Sequence, residues 1–162
     1  MERDNFEKIE SLIKGRLFNE ALIHLNNFNA QVIANPSYCG YYWLAKSFNC
    51  EDKKKHALKT LENVELAIIE FSKSFPTKEI PATVLLLKAR ALNHLKEFNL
   101  GIAICNNVIE KKSDGEAYFV RGALKFQLKD EEGGFDDLKK AEGLGNKEAS
   151  VFLHNRNNKK KK

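Results

Sequence analysis

The residue types that most often carry out chemistry are few in this chain and lie far apart. No HExxH pattern surrounds any of the four histidines, which are His24, His56, His94 and His154. The three cysteines form no CxxC pair, and metal sites need such ligands at short, defined spacings. The acidic stretches "DEE" and "DDLKK" have the pattern of charged helix faces. The sequence therefore predicts no metal site, no cofactor and no enzyme.

Gly122 and Gly134 are the next candidates, because both lie in stretches with the apolar spacing of amphipathic helices. Glycine inside a helix costs about 1 kcal/mol relative to alanine, so its presence needs a reason. Phosphate binding is one reason, but neither a Walker loop nor a dinucleotide-binding pattern is present. The other reason is a close helix contact that leaves no room for a side chain. We interpret both glycines as packing residues.

Small residues recur along the whole chain, which supports that interpretation. When the helical stretches are aligned in pairs, each second helix has a small residue at the same place, at separations of 36, 44 and 33 residues: Ala21, Ala57, Gly101 and Gly134. The first helices have a matching series: Ala45, Ala89 and Gly122. Alternating runs typical of strands are absent, and 162 residues suit one domain. The prediction is an all-α domain of four helix pairs over residues 1–154.

The fourth helix pair carries a recognisable pattern, formed by Tyr118, Gly122, Leu128, Gly134, Leu138 and Ala141. This pattern resembles the tetratricopeptide repeat, in its bacterial form, which is a helix–turn–helix unit of about 34 residues. The resemblance covers roughly residues 5–148 and is weakest in the first repeat. It implies a right-handed α-solenoid with repeats at 2–35, 38–75, 82–114 and 115–148.

The second repeat is longer than the family pattern. Its second helix has an extended apolar stripe, which predicts a long helix that stops at Pro76. The stripe consists of Leu58, Leu61, Val64, Ile68, Phe71 and Phe75. After the fourth repeat, we expect a short capping helix at 147–154, which covers the last pair with Val151, Phe152 and also Leu153.

The net charge of +5 is concentrated at the C-terminal end of the sequence. The last four residues are lysines, so the rest of the chain is nearly neutral. We expect residues 155–162 to be a disordered basic tail. A neutral body disfavours nucleic acid as the partner.

The cellular compartment is predicted from what the sequence lacks. The start "MERDNFEKIE" has no apolar core of a signal peptide, and no apolar run is long enough to span a membrane. Three cysteines leave one unpaired in any disulfide scheme, which suits a reducing compartment. We expect a cytoplasmic protein without membrane contact.

The resemblance also implies which residues bind a partner, since the first helices of such repeats line a concave groove for peptide segments. Carried over to this chain, the groove residues are Tyr42, Lys46, Asn49, Arg90, Asn93, His94, Phe119 and Phe126. Lys46 and Arg90 fall at matching sites of successive repeats. Arginine can bind a carboxylate through two hydrogen bonds, and an asparagine amide can bind a peptide backbone. We therefore expect a partner with an acidic residue next to a hydrophobic one. The alternative is that the groove charges are merely solvated.

The sequence thus predicts a noncatalytic scaffold or adaptor that binds a protein or peptide partner. Two alternatives remain at this stage. An RNA-binding helical-repeat protein would need a continuous basic groove with aromatic residues. A self-associating subunit would form a homo-oligomer through the long helix of the second repeat.

Overall fold

Residues 57–159 form a succession of six helices in a computed structural model of the chain, and no strand occurs among them. The helices are α1 (Ala57–Ser74), α2 (Ala82–His94), α3 (Phe98–Lys111), α4 (Gly115–Gln127), α5 (Glu131–Gly143) and α6 (Lys147–Lys159). The structure also describes residues 8, 11, 12, 20, 21, 23 and 24, which are helical, and it describes side chains as far as residue 155. The chain divides into two compact units, Met1–Val84 and Leu85–Lys162. The all-α prediction is confirmed for the described part of the chain.

Helix α1 is the long helix expected in the second repeat, and it ends at Ser74, just before Pro76. Its buried face differs from the predicted stripe. Leu58 was expected on that face but is 60% exposed. The buried residues instead follow a line that includes small and polar side chains: Ala57, Thr60, Asn63, Val64, Ala67 and Phe71. Large aliphatic residues surround much of this helix, so hydrophobicity alone does not identify the side that is buried.

The two helix pairs α2–α3 and α4–α5 have the same layout. The first helices begin at residues 82 and 115, and the second helices begin at residues 98 and 131. Both helices of the second pair therefore begin 33 residues after their counterparts in the first pair. In both pairs the turn contains a lysine with left-handed backbone conformation, Lys96 with φ 64° and Lys129 with φ 66°. After Lys96, the N–H of Glu97 donates to the carbonyl of Leu92, and the corresponding hydrogen bond forms after Lys129. This hydrogen bond between residues five apart is a common way to end a helix.

Glycines mark the places where these helices approach most closely. A Cβ atom on Gly101 would lie 2.9 Å from Cδ1 of Leu124, and one on Gly134 would lie 2.7 Å from the ring of Phe126. A Cβ atom on Gly122 would lie 2.9 Å from the carbonyl oxygen of Gly134. Real Cβ contacts are longer than this, so the neighbouring atoms would have to shift, and at Gly122 the neighbour is backbone, which cannot move without the helix. The prediction that these glycines serve helix packing is confirmed.

Consecutive helices pack against one another from α3 to α6. The buried residues between them include Cys105 of α3, Leu124 of α4 and Leu138 of α5, each at most 2% exposed. Ala149 of α6 joins Leu138 in one core cluster. Each of the helices α4 and α5 is therefore packed between the helix before it and the helix after it.

Helix α6 begins like α4 but is longer than the predicted cap. The side chain of Asn146 accepts a hydrogen bond from the N–H of Ala149, just as Asp114 accepts one from Ala117. The helix continues to Lys159, whereas residues 155–162 were expected to form a disordered tail. Residues 155–159 therefore belong to the helix, and the disorder expected of the tail as a whole stays a prediction. Once a helix is nucleated, each added residue contributes a hydrogen bond, and no proline interrupts this stretch.

The residues that cover the last helix pair also differ from the expected set. Ala149 is fully buried, and Leu153 packs against the same core cluster. Val151 was also expected to cover the pair but remains 60% exposed. Phe152 is 43% exposed, and its ring stacks on that of Phe126 in α4. The buried part of the contact is made by Ala149 and Leu153, which are one turn apart on one side of the helix.

Candidate functional site

The predicted groove residues that the structure describes lie on α2 and α4, and one of them, Arg90, also contacts α6. Arg90 of α2 donates hydrogen bonds to Glu116 of α4 and to Glu148 of α6, both at 3.2 Å. One guanidinium nitrogen, Nη2, makes both contacts. The guanidinium carbon of Arg90 also lies 5.7 Å from the ring centre of Phe119 on α4. These contacts bring side chains of three helices together at the surface of one unit.

The surroundings of Arg90 differ from those expected of a bare groove cation. Glu116 and Glu148 each lie in the first turn of a helix, where the helix dipole favours negative charge. The side chains of Arg90 and Glu116 are 32% exposed and that of Glu148 is 47% exposed. Pairs this exposed each contribute about 0 to 1 kcal/mol to stability. An acidic residue of a partner would have to share Arg90 with these two carboxylates.

The other predicted residues of α2 lie close to Arg90 along the helix. Asn93 is half-buried, one turn further on, and His94 is exposed at the last position of the helix. Asn93 is thus partly accessible, and an asparagine amide can donate to and accept from a peptide backbone. Asn93 and His94 follow Arg90 by three and four residues on the same helix, and their role in binding a partner stays a prediction.

The two predicted aromatic residues have different environments. Phe119 is half-buried beside the core cluster and carries Arg90 above its ring. Phe126 packs between helices, with its ring centre 5.0 Å from that of Phe135 and 5.9 Å from that of Phe152. Phe126 therefore acts mainly as a packing residue against Gly134. Phe152 is an exposed aromatic residue, and its ring stacks on that of Phe126.

Three residues of this surface are not among the predicted groove residues: Glu116, Glu148 and Phe152. A signal for the two glutamates was present, because each is the second residue of a helix and the two helices start 32 residues apart. Three predicted groove residues lie outside the described residues: Tyr42, Lys46 and Asn49.

A second charged cluster joins α3, α4 and α5. Arg121 binds both carboxylate oxygens of Asp137, at 2.8 and 2.7 Å, and donates to the side chain of Asn106 at 2.6 Å. Lys125 adds an ion pair to Asp137 at 2.9 Å. The residue Asp137 is only 1% exposed. A carboxylate so deeply buried is stable only when it is paired and hydrogen-bonded, as it is here.

The ionisation of Asp137 follows from these contacts. Burial raises the pKa of the Asp137 carboxyl, but hydrogen bonds and charges from Arg121 and Lys125 outweigh burial and hold the pKa below its usual value. The hydrogen bond to Asp137 in turn raises the pKa of Arg121. Asp137 is therefore ionised at neutral pH and accepts protons poorly. We interpret the cluster as a link between helices.

Cys105 is a buried thiol. Burial raises the pKa of Cys105 to about 12, and the charge of Arg121 lowers it only in part. The side chain stays protonated and fully buried, as is typical of a small hydrophobic core residue. Within the part of the chain that the structure describes, no group of histidine, cysteine and acidic side chains could hold a metal ion. In the same part, no helix has the length and apolar character needed to cross a membrane.

Comparison with known proteins gives no relative. No protein-family model matches the chain, and neither does any curated protein or solved structure. A function for this chain is therefore inferred from its own residues and contacts.

Proposed function

We propose that this chain is a noncatalytic interaction module of the tetratricopeptide-repeat type, which binds a peptide segment of a partner protein along its first helices. The observation that carries the proposal is that α4 and α5 begin 33 residues after α2 and α3, respectively. Close glycine contacts and matching lysine turns accompany it in the same places. Repeated units of this kind present equivalent positions side by side, which suits an extended ligand.

The peptide would lie across the surface formed by Arg90, Asn93, Phe119 and Phe152. The amide of Asn93 would bind the peptide backbone, while Phe119 and Phe152 would contact a hydrophobic side chain. Arg90 is shared by two carboxylates of the chain. The hydrophobic residue of the peptide therefore contributes more to the binding free energy here than an acidic residue would. The acidic preference expected from Lys46 and Arg90 together stays a prediction.

Selection of peptides from a random library on the intact protein tests this proposal. Enriched peptides should contain a hydrophobic residue, and calorimetry should show about tenfold weaker binding to Asn93→Ala and Phe152→Ser. Leu100→Ser is a matched control, because Leu100 is 58% exposed on α3, a second helix. It should bind as the wild type does. Failure to enrich any peptide, or equal binding to all three variants, would contradict the proposal.

An RNA-binding function is less well supported. The described surface carries Glu116 and Glu148 beside Arg90. Two carboxylates there would repel the phosphate backbone, whose neutralisation dominates nucleic-acid affinity. Electrophoretic mobility shifts with single-stranded RNA of mixed sequence are expected to show no complex at physiological salt.

A further inference from the structure

Helix α1 has an exposed face that combines apolar and charged residues. Leu58, Leu66 and Ile69 are 60%, 41% and 48% exposed. Glu62 is exposed on the same side, and so is the side chain of Lys73, at 61%. With 3.6 residues per turn, these five residues occupy less than a quarter of the helix circumference. The buried residues of α1 lie on the opposite side, so this face points to solvent.

Four of these residues form what we call the α1 seam: Glu62, Leu66, Ile69 and Lys73. Their spacing of four, three and four residues is the spacing at which one helix packs along another in a coiled coil. The apolar pair is at the centre and the two opposite charges are at the ends. Leu58 extends the apolar surface at one edge.

We propose that the α1 seam binds the α1 seam of a second copy of this chain, with the two helices antiparallel. A two-fold axis between Leu66 and Ile69 places Leu66 of one copy against Ile69 of the other, and the reverse. The same axis places Glu62 of each copy against Lys73 of the other. The seam is therefore complementary to itself in both shape and charge, which is the property that a symmetric dimer requires.

The charges also determine the direction of pairing. A parallel arrangement would place Glu62 against Glu62 and Lys73 against Lys73, and both pairs would repel. Lys73 already donates to Glu70 of its own helix at 2.9 Å. An ammonium group has three donors, so it can bind Glu62 of the second copy as well. Since the seam is short, the dimer should be a weak and reversible one.

Sedimentation of the intact protein over a wide concentration range tests the dimer. The wild type should shift reversibly from monomer to dimer. Glu62→Lys and Lys73→Glu should each weaken association about tenfold, because each converts two attractive pairs into repulsive ones. The double variant Glu62→Lys/Lys73→Glu should restore it. Mixing the two single variants should also give a dimer, because each supplies the charges that the other lacks.

Two further variants separate the seam from other surfaces. Leu66→Ser/Ile69→Ser should make the protein monomeric by removing the apolar centre. Glu110→Lys changes the charge by the same amount at an exposed position of α3 and should leave the dimer unchanged. Circular dichroism should show the same helix content in all variants, so that a lost dimer is not a lost fold.

The proposal fails if the wild type stays monomeric at every concentration, even if some other protein binds the seam. It also fails if the double charge reversal does not restore what the single reversals weaken. A dimer that survives Leu66→Ser/Ile69→Ser would place the interface elsewhere and would equally overturn it. None of these outcomes depends on peptide binding, since the proposed peptide surface lies on α2, α4 and α6.

Discussion

The carbonyl oxygen of Gly134 lies 2.9 Å from the position that a Cβ atom on Gly122 would occupy. Gly122 belongs to α4 and Gly134 to α5, so the two helices are in backbone contact at this point. Asp137 and Leu138 lie next to the same position, at 3.3 and 3.6 Å. The neighbouring atoms include backbone, which cannot move aside as a flexible side chain can.

The first prediction concerns this contact. Gly122→Ala should lower the free energy of unfolding by about 1 to 3 kcal/mol, because the clash outweighs the better helix propensity of alanine. Gly143→Ala is the matched control, since nothing lies within 4 Å of its Cβ position. That change should raise stability by about 0.5 to 1 kcal/mol. Urea unfolding of both variants measures the difference. Equal effects of the two changes would refute the close contact.

The second prediction concerns the buried carboxylate. Asp137→Asn should lower the free energy of unfolding by about 2 to 3 kcal/mol at neutral pH, because it leaves Arg121 and Lys125 without their anion. Asp136→Asn is the control. The side chain of Asp136 is 61% exposed, and its ion pair with Lys139 is long, at 3.8 Å. It should change stability little. Urea titrations at pH 7 compare the two.

The same carboxylate should make stability depend on pH. The folded state lowers the pKa of Asp137. A lowered pKa means that this stabilisation is complete well above the unfolded-state pKa of about 3.9 and is lost as the pH falls through the folded-state value. The stability difference between the wild type and Asp137→Asn should therefore shrink as the pH is lowered below about 4. A difference that stays constant down to pH 2 would contradict this.

The third prediction concerns the lysine turns. Lys129 has φ 66°, a conformation that side chains with a Cβ atom adopt at a cost. Lys129→Gly should raise the free energy of unfolding by about 0.5 to 1 kcal/mol, and Lys96→Gly should act alike. Lys129→Ala keeps the Cβ atom and should bring no gain. Thermal melts of the three variants provide the measurement, and a gain in the alanine variant would argue against backbone strain as the cause.

The fourth prediction concerns α6 as the cover of the last helix pair. Truncation after Asn146 should lower the melting temperature, because it removes Ala149 and Leu153 from the core cluster. Ala149→Lys should act in the same direction by burying a charge at a fully buried position. Val151→Lys should be nearly neutral, since Val151 is 60% exposed. An unchanged melting temperature after truncation would show that α6 does not stabilise the pair.

Much of the helical layout could be predicted from the sequence. The recurrence of Ala89, Gly101, Gly122 and Gly134 indicated which helices pair, and the structure places the three glycines of this series at close contacts. The end of α1 just before Pro76 was also predictable from the sequence. These features are local, because helix formation depends on neighbouring residues and a helix contact needs small residues at a fixed spacing.

Only the tertiary structure decided the partners of the surface residues. Arg90 pairs with residues 26 and 58 positions further along the chain, and no local pattern specifies which carboxylate reaches it. The exposure of Leu58 depended in the same way on the side of α1 that is buried. The sequence by itself determined where helices form and where they can touch. Side-chain pairing is long-range, so it followed only from the packing of those helices.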